Sequence, residues 1–223
     1  MSSPLRAVLF DLDGTLLDTA PDMWGAMNVL LGERERAPLP YEAVRPWVSH
    51  GAVGVLRQGF ADADAPLFAE LQLRFLDIYR ADLSSGTRYF PGMERVLDEL
   101  AKRGLRTGIV TNKAAWLTEP LLEQLAIRAR FDCVVSGDTV AERKPHPLPM
   151  LHAARLAGVD PEQCIYVGDA LRDVQAAHAA GMPALVALYG YISAADTPGA
   201  WGGEGHLGEP LDLLSWLDAS GRL

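Results

Sequence analysis

The stretch Ala7-Val-Leu-Phe-Asp-Leu-Asp-Gly-Thr15 decides the fold that we predict for this chain. Four apolar residues run into a pair of aspartates and a glycine, a pattern typical of a buried strand followed by a turn. Short apolar runs then alternate with helical patterns along most of the chain. This alternation predicts an α/β fold, a Rossmann-like, doubly wound and mainly parallel sheet covered by helices on both faces.

Four more strands are predicted downstream, over 105–110, Cys133–Val135, 165–167 and 184–188. Helical patterns occupy the intervals and the flanks, over 92–103, 114–125, 148–156 and 171–180. Pro120 is expected to kink or restart the second of these helices, because proline lacks the N–H that an interior helical position donates. The glycine-rich stretch 194–210 is expected to be a loop before a short C-terminal helix.

One stretch, 18–83, breaks the alternation, because it holds helical patterns and no convincing strand. The helices expected within it cover 22–31, 41–48, 53–60 and 66–83. Thr19 is expected to cap the first helix, with Pro21 in its first turn. We therefore predict a small all-helical cap over 18–83, inserted after the first strand into a core of 1–17 and 84–223.

The composition limits the classes of function. Hydrophobic residues make up 49% of the 223 and charged residues 22%, which favours a soluble globular protein over a disordered one. Twenty basic against 29 acidic residues give a net charge of −9, which argues against nucleic-acid or membrane partners. Two cysteines cannot form a disulfide framework, and the N-terminal apolar run is too short for a signal peptide. We expect a cytoplasmic protein; a monomer is compatible with the sequence, which leaves the oligomeric state open.

Polar residues that could take part in catalysis or metal binding follow four of the predicted strands. They are Asp11 and Asp13, Thr111-Asn112, Arg143-Lys144, and Gly168-Asp169 with Asp173. Ligands of open α/β sheets bind beyond the carboxyl ends of the strands, so these residues should share one edge of the sheet. Several carboxylates beside one lysine repel one another unless a cation is present, and oxygen ligands suit Mg²⁺. A carboxylate nucleophile beside a metal and an ammonium group is what phosphoryl transfer needs.

At these residues the chain resembles the haloacid dehalogenase superfamily of phosphohydrolases. Asp11-Leu-Asp-Gly-Thr15, Val110-Thr-Asn112, Lys144-Pro145 and Gly168-Asp169 with Asp173 match its four motifs in order, and the resemblance covers nearly the whole chain. It implies that Asp11 is a nucleophile forming an aspartyl-phosphate. It implies that Asp13 protonates the leaving alkoxide and then deprotonates the hydrolytic water.

The resemblance also implies the remaining roles in the site. Mg²⁺ would be held by the Asp11 carboxylate, the Asp13 backbone carbonyl and Asp169, with Asp173 in support. The residues expected to bind a small phosphorylated metabolite are Thr111, Asn112, Lys144, His50 and Gly51. Thr111 would hydrogen-bond a phosphoryl oxygen, and Lys144 would neutralise nucleophile and phosphate. The helical insertion would close over the site as a cap and exclude water.

Several of these residues also have structural explanations. Asp173 could serve only the N-terminus of its helix, and Thr111-Asn112 could cap the next one. His50 could be a surface histidine and Lys144 a solvated lysine. Asp18 suits a hinge or a cap better than a metal ligand.

The same residues argue against two other activities known in this superfamily. Dehalogenases of this superfamily lack the carboxylate found at Asp13, and phosphonate-cleaving members use a cap lysine that 18–83 does not contain. A sugar-phosphate mutase and a non-catalytic binding module stay open as alternatives.

The substrate is the least constrained prediction. Among capped members the chain resembles the phosphoglycolate phosphatase group. Tyr189-Gly-Tyr-Ile192, Trp201, the stretch 18–22 and the stretch 168–173 make it more similar to N-acetylmuramic acid 6-phosphate phosphatases of cell-wall recycling. We expect that sugar phosphate as substrate, with 2-phosphoglycolate as the alternative.

Overall fold

The structure is a computed structural model that describes residues 4–222, so that residues 1–3 and 223 of the predicted core lie outside the described residues. Its strands are β1 (Ala7–Phe10), β2 (Leu17–Asp18), β3 (Arg88–Tyr89), β4 (Arg106–Val110), β5 (Cys133–Val135), β6 (Cys164–Gly168), β7 (Ala184–Ala187) and β8 (Gly205–Leu207). Its α-helices are α1 (Ala20–Glu33), α2 (Tyr41–Val44), α3 (Gly51–Gly59), α4 (Ala65–Ala81), α5 (Met93–Lys102), α6 (Ala115–Gln124), α7 (Leu148–Ala157), α8 (Leu171–Ala179) and α9 (Asp212–Ser220).

Six parallel strands form the central sheet in the order β5-β4-β1-β6-β7-β8. β1 lies at the centre, with Leu9 opposite Gly108 of β4 on one side and Tyr166 of β6 on the other. The predicted parallel α/β sheet is confirmed. Because β1 is central, the loop that follows it meets the loops that follow both neighbouring strands.

Helices cover both faces of the sheet, as the continuous burial of β1, β6 and β7 requires. Alternate side chains of a strand point to opposite faces, and β1 shows this directly. Val8 and Phe10 pack in the cluster that contains α5 and α9, whereas Ala7 and Leu9 pack in the cluster that contains α7 and α8.

Helices α1 to α4 lie between β2 and β3, and their apolar side chains join the first of these clusters. Met27 of α1, Val55 of α3 and Phe75 of α4 are buried there. Pro21 lies in the first turn of α1, as predicted. The division of the chain into a core and a separate cap at 17/18 and 83/84 stays a prediction.

The structure corrects several predicted elements. Asp18 belongs to a two-stranded antiparallel sheet with β3, and β8 adds a strand where a loop is predicted. Both strands are short and mix apolar residues with polar residues or glycine, so they form no apolar run. The second predicted helix stops at Val44 and continues as a 3₁₀-helix over Arg45–His50, which contains a proline. Pro120 lies inside an uninterrupted α6. Thr19 precedes α1 without capping it by its side chain.

Within residues 4–222 no helix has both the length and the apolar character needed to cross a membrane.

Candidate active site

Asp11 lies directly after the central strand β1, at the carboxyl edge of the sheet. Its backbone N–H donates to the carbonyl of Val167, at 2.9 Å, which continues the pairing with β6. Its Oδ1 accepts from the N–H of Leu12 at 2.8 Å and lies 3.0 Å from Nζ of Lys144. The side chain is buried, so its position is set by these contacts.

Lys144 contacts two of the acidic residues, Asp11 and Asp173, on the side away from the solvent. Its Nζ forms ion pairs with Asp11 at 3.0 Å and Asp173 at 2.7 Å, and it donates to the Val110 carbonyl at 2.9 Å and the Tyr166 hydroxyl at 2.8 Å. Its side chain is fully buried. The three N–H groups of an ammonium are therefore engaged by protein oxygens.

Asp11, Asp169 and Asp173 form a buried cluster, each offering a carboxylate oxygen within 4.8 Å of the others. Burial raises the pKa of Asp11. Burial, with the charges of Asp11 and Asp173, raises the pKa of Asp169 to about 7. The Oδ1 atom of Asp169 is buried without a hydrogen-bond partner among residues 4–222. An unsatisfied oxygen and three mutually repelling carboxylates fit a hard divalent cation such as Mg²⁺.

The carboxylate of Asp13 lies outside this cluster and has its own partners. Its Oδ1 accepts from the Thr19 hydroxyl at 2.6 Å and lies 3.0 Å from Nζ of Lys113. The ammonium of Lys113 lies 4.9 Å from the centre of the Tyr79 ring, which belongs to α4. Thr19 therefore holds Asp13 instead of capping α1.

Thr111 and Asn112 follow β4 and differ in whether their side chains have a hydrogen-bonding group available for a ligand. Thr111 is buried, and its Oγ1 accepts from the N–H of Lys113 at 3.1 Å, so its hydroxyl proton remains to be donated. The amide of Asn112 donates to the Lys144 carbonyl at 2.9 Å and accepts from the Lys144 N–H at 3.0 Å. Asn112 thus fixes the Lys144 loop, and its predicted contact with substrate stays a prediction.

A cleft of about 550 Å³ opens above these residues, between the carboxyl edge of the sheet and α1, α3 and α4. The predicted residues that line it are Asp11, Asp13, Thr111, Asn112, His50 and Gly51. Its apolar lining includes Met23, Val53, Leu76 and Trp116. Lys144, Asp169 and Asp173 lie beneath it, in contact with Asp11 or within its cluster.

The segment Ser49-His50-Gly51 reaches the acidic cluster from the helical insertion. Ser49 donates from Oγ to Oδ2 of Asp169 at 2.6 Å, and the Tyr191 N–H donates to the same oxygen at 2.9 Å. The His50 ring lies 5.5 Å from that of Trp47. Burial and the nearby charge of Arg172 lower the pKa of His50, so its imidazole is neutral at pH 7.

Two glycines allow the loops to close around Asp169. A Cβ atom on Gly14 would overlap the Asp169 carboxylate, and Gly14 has a φ of +82°. A Cβ atom on Gly190 would overlap the Asp169 side chain and the Gly14 carbonyl. The loops after β1, β6 and β7 therefore meet at this carboxylate with no space between them.

Sequence reasoning missed three residues of the site, namely Ser49, Lys113 and Arg172. Arg172 lines the cleft, with Nη2 3.9 Å from Oδ2 of Asp11. Lys113 directly follows Thr111-Asn112, and Arg172 lies inside the quoted stretch 168–173, so both were visible as cations beside predicted motifs. Nothing in the sequence indicates that Ser49 meets Asp169.

The aromatic residues used to choose a substrate lie elsewhere. The Tyr191 hydroxyl donates to Asp18 at 2.7 Å and accepts from the Ala20 N–H at 2.9 Å, and the Tyr189 hydroxyl donates to the Thr15 carbonyl at 3.1 Å. Trp201 packs against the cluster that contains α7 and α8. The two tyrosines therefore support loops around the site, and none of the three aromatic side chains lines the cleft.

Comparison with known proteins agrees with this geometry. The family model of the haloacid dehalogenase-like hydrolases matches residues 8–187. A phosphoglycolate phosphatase of Xylella fastidiosa is 46% identical over 96% of this chain and 93% of its own. An N-acetylmuramic acid 6-phosphate phosphatase of Pseudomonas putida is 37% identical over 97% of both. The crystal structure of a predicted phosphoglycolate phosphatase from Haemophilus somnus superposes with a TM-score of 0.83, at 26% identity over 95% of this chain and 97% of that one. The chain belongs to the haloacid dehalogenase-like hydrolases, and within that family it is a phosphatase.

Proposed function

We propose that the protein is a Mg²⁺-dependent phosphomonoester hydrolase that works through an aspartyl-phosphate on Asp11. The observation that carries this proposal is the position of Asp11. It directly follows the central strand, lines the cleft, contacts a buried lysine and belongs to one cluster with two further carboxylates. A carboxylate held in that way is a nucleophile with a fixed direction of attack.

The reaction has two steps at the same phosphorus. In the first, a carboxylate oxygen of Asp11 bonds to phosphorus, the ester P–O bond breaks, and Asp13 gives its proton to the departing alkoxide. In the second, Asp13 takes a proton from water, whose oxygen attacks phosphorus and releases inorganic phosphate and free Asp11. Asp13 is suited to both transfers, because it lies in the cleft near Asp11 without belonging to the acidic cluster.

The other predicted residues orient these two. Thr111 would donate its hydroxyl to a phosphoryl oxygen, and Lys144 would keep Asp11 ionised and in place. Asp11 and Asp169, with the Asp13 carbonyl, would hold Mg²⁺, and Asp173 would support them through Lys144. When bound, the metal would neutralise the carboxylates and the charge that builds up on the phosphoryl group.

We also propose that residues 18–83 act as a cap over the cleft. Their contacts with the core in this structure include Ser49 on Asp169 and Arg45, which donates to the carbonyls of Gly190 and Tyr189 at 3.1 Å each. A cap in this position would exclude water around the phosphoryl group.

For the substrate we propose N-acetylmuramic acid 6-phosphate. The volume of the cleft, about 550 Å³ with an apolar side that includes Trp116, suits a sugar phosphate better than a two-carbon acid. The second candidate is 2-phosphoglycolate, which is favoured by the 46% identity to a phosphatase named for it. The test is kcat/KM for both compounds, with a hexose 6-phosphate as control. A tenfold advantage for 2-phosphoglycolate would reverse our choice.

The reaction itself is tested with p-nitrophenyl phosphate. Wild type should release nitrophenolate with Mg²⁺ and lose this activity after chelation. Asp11→Asn should lower the rate by orders of magnitude while the protein stays folded, because the amide is not a nucleophile. The matched control is Asp77→Asn, at an exposed position of α4. Full activity after chelation would refute the metal, and an active Asp11→Asn would refute the nucleophile.

A further inference from the structure

Arg172 lines the cleft, and its guanidinium N–H groups have no hydrogen-bond partner in the described part of the protein. Its guanidinium carries five N–H groups, yet it forms no hydrogen bond with any residue from 4 to 222. The nearest carboxylate oxygen that it faces is Oδ2 of Asp11, where 3.9 Å is too long for a hydrogen bond. Only 22% of its side chain is exposed, and because Arg172 lines the cleft, further partners for its N–H groups have to come from the cleft.

The other cations near the cleft are either paired with protein oxygens or exposed to water. Lys144 has four protein oxygens within 3.0 Å of its Nζ. Lys113 is paired with Asp13 at 3.0 Å. Arg143 also lines the cleft, where its Nε donates to the Gly137 carbonyl at 2.7 Å, but its side chain is exposed, so that water can satisfy its remaining N–H groups. A substrate anion that enters the cleft therefore finds free, directed donors at Arg172.

The charges of the site require such a donor. The three carboxylates of the cluster exceed the one ammonium of Lys144 by two charges, and a phosphate monoester brings about two more at neutral pH. A divalent cation offsets only half of that sum. A cation that the protein itself contributes on the open side of Asp11 would reduce the remainder where negative charge builds up.

Resting on the phosphatase reaction proposed above, we propose that Arg172 is a catalytic residue that binds the phosphoryl group during its transfer to Asp11. Oδ1 of Asp11 is held by the Leu12 N–H and by Lys144, whereas Oδ2 faces Arg172. A phosphoryl group bonded to this carboxylate places its own oxygens one bond further out, toward the guanidinium. The planar fork of arginine can contact two phosphoryl oxygens at once, which a lysine cannot do.

The experiment compares Arg172→Gln and Arg172→Lys with wild type on two substrates that share only the phosphoryl group, p-nitrophenyl phosphate and 2-phosphoglycolate. The glutamine variant should lower kcat/KM on both by a similar factor of about 100, and lysine should restore part of the loss. Arg155→Gln is the matched control for net charge, because Arg155 is exposed on α7. A loss on 2-phosphoglycolate alone would overturn the proposal, because the guanidinium would then bind the carboxylate.

A second measurement separates this proposal from the reaction on which it rests. The affinity for inorganic phosphate in the presence of Mg²⁺, measured by calorimetry, should fall at least tenfold in Arg172→Gln. If wild type hydrolyses neither substrate, the proposed function fails, and the phosphate affinity still tests Arg172. An unchanged phosphate affinity overturns the proposal, as does a lowered melting temperature with unchanged kinetics, which would show a purely structural role.

Discussion

Two lysine–aspartate pairs face the same cleft in different surroundings. Lys144 and Asp11 are surrounded by elements of the central sheet and by α8, and their side chains are 0% and 5% exposed. Lys113 and Asp13 lie where the core meets the helical insertion, with Tyr79 of α4 against the lysine, and their side chains are 6% and 15% exposed.

The difference in burial between the two pairs matches the role that each aspartate has in the proposed reaction. A nucleophile needs a fixed position, which a buried ammonium with no spare donors gives to Asp11. Burial raises the pKa of Asp11, and the charge of Lys144 opposes that rise. An acid/base group must reach the leaving group and then a water molecule. Asp13 keeps more exposure, and its partners Lys113 and Thr19 hold only one of its two oxygens. The same pair of residue types thus provides rigidity at one position and access at the other.

The largest expected difference between the pairs is in stability. Lys144→Met should lower the free energy of unfolding by about 3–5 kcal/mol, because it leaves buried carboxylates without their cation. Lys113→Met should cost about 1.5–3 kcal/mol, since Asp13 is partly exposed and keeps its bond from Thr19. Urea unfolding of the metal-free protein measures both. Lys102→Met, at a 69% exposed lysine, is the control, with an effect below about 0.5 kcal/mol. A larger loss for Lys113→Met would reverse the comparison.

The next effect concerns the order of the two chemical steps. Asp13→Asn should still release nitrophenolate once, since that leaving group needs little protonation, and then stall. Steady-state turnover should fall about 100-fold, or about 2.7 kcal/mol in the barrier, because water attack lacks its base. Rapid quenching should show a burst and mass spectrometry a phosphorylated protein. Asp11→Asn should show neither. Turnover of Asp13→Asn near the wild-type rate would refute the acid/base role.

A smaller effect tests the metal site through pH. In the metal-free folded protein Asp169 has a pKa of about 7, above its usual 3.8, so it keeps its proton at a pH where the unfolded chain has lost it. Its contribution to stability is present below pH 4 and is lost as the pH rises through 7. Mg²⁺ needs the ionised form, so its apparent affinity should rise about tenfold from pH 6 to pH 8, or about 1.4 kcal/mol.

The measurement is the increase in melting temperature caused by Mg²⁺, which should be larger at pH 8 than at pH 6. Asp169→Asn should remove the increase at both pH values, and Asp77→Asn should leave it unchanged. Equal increases at the two pH values in wild type would contradict the assignment of Asp169 as a ligand that titrates near neutrality.

The smallest effect is expected at the cap side of the cleft. His50→Ala should lower kcat/KM less than tenfold for the sugar phosphate and leave p-nitrophenyl phosphate hydrolysis unchanged, because a neutral imidazole can hydrogen-bond a sugar but adds no charge at the phosphoryl group. His152→Ala on α7 is the control. An equal loss on both substrates would place His50 with the catalytic residues.

The sequence predicts those parts of the molecule that have a period or a fixed position after a strand. It predicts β1, β4, β5, β6 and β7 from short, mainly apolar stretches between helical patterns. It also predicts that Asp11, Asp169 and Asp173 meet at one edge of the sheet, because ligands of parallel sheets bind beyond the carboxyl ends of the strands. β2 (Leu-Asp) and β8 (Gly-His-Leu) are not predicted, because they are short and lack the apolar run that marks the equally short β5 (Cys-Val-Val).

Contacts between loops could not be predicted from the sequence, for a different reason. The bond from Ser49 to Asp169 joins residues 120 positions apart, and it depends on how the helical insertion packs on the core. Thr19 has the sequence features of a helix cap, yet its hydroxyl donates to a carboxylate six residues earlier and forms no capping bond. At this position the hydrogen bond with Asp13 outweighs the local preference of Thr19 for capping a helix.

Gly14 and Gly190 set a limit on how the site can be re-engineered. Because any side chain at either position overlaps Asp169 or its surrounding loops, libraries that randomise the residues around this carboxylate will be dominated by inactive clones at these two codons. His50, Val53 and Leu76 line the cleft from the helical insertion, where substitutions leave the backbone around Asp169 untouched. Selection for new substrates will therefore find its useful variation in the helical insertion, while the three loops beneath it stay nearly invariant.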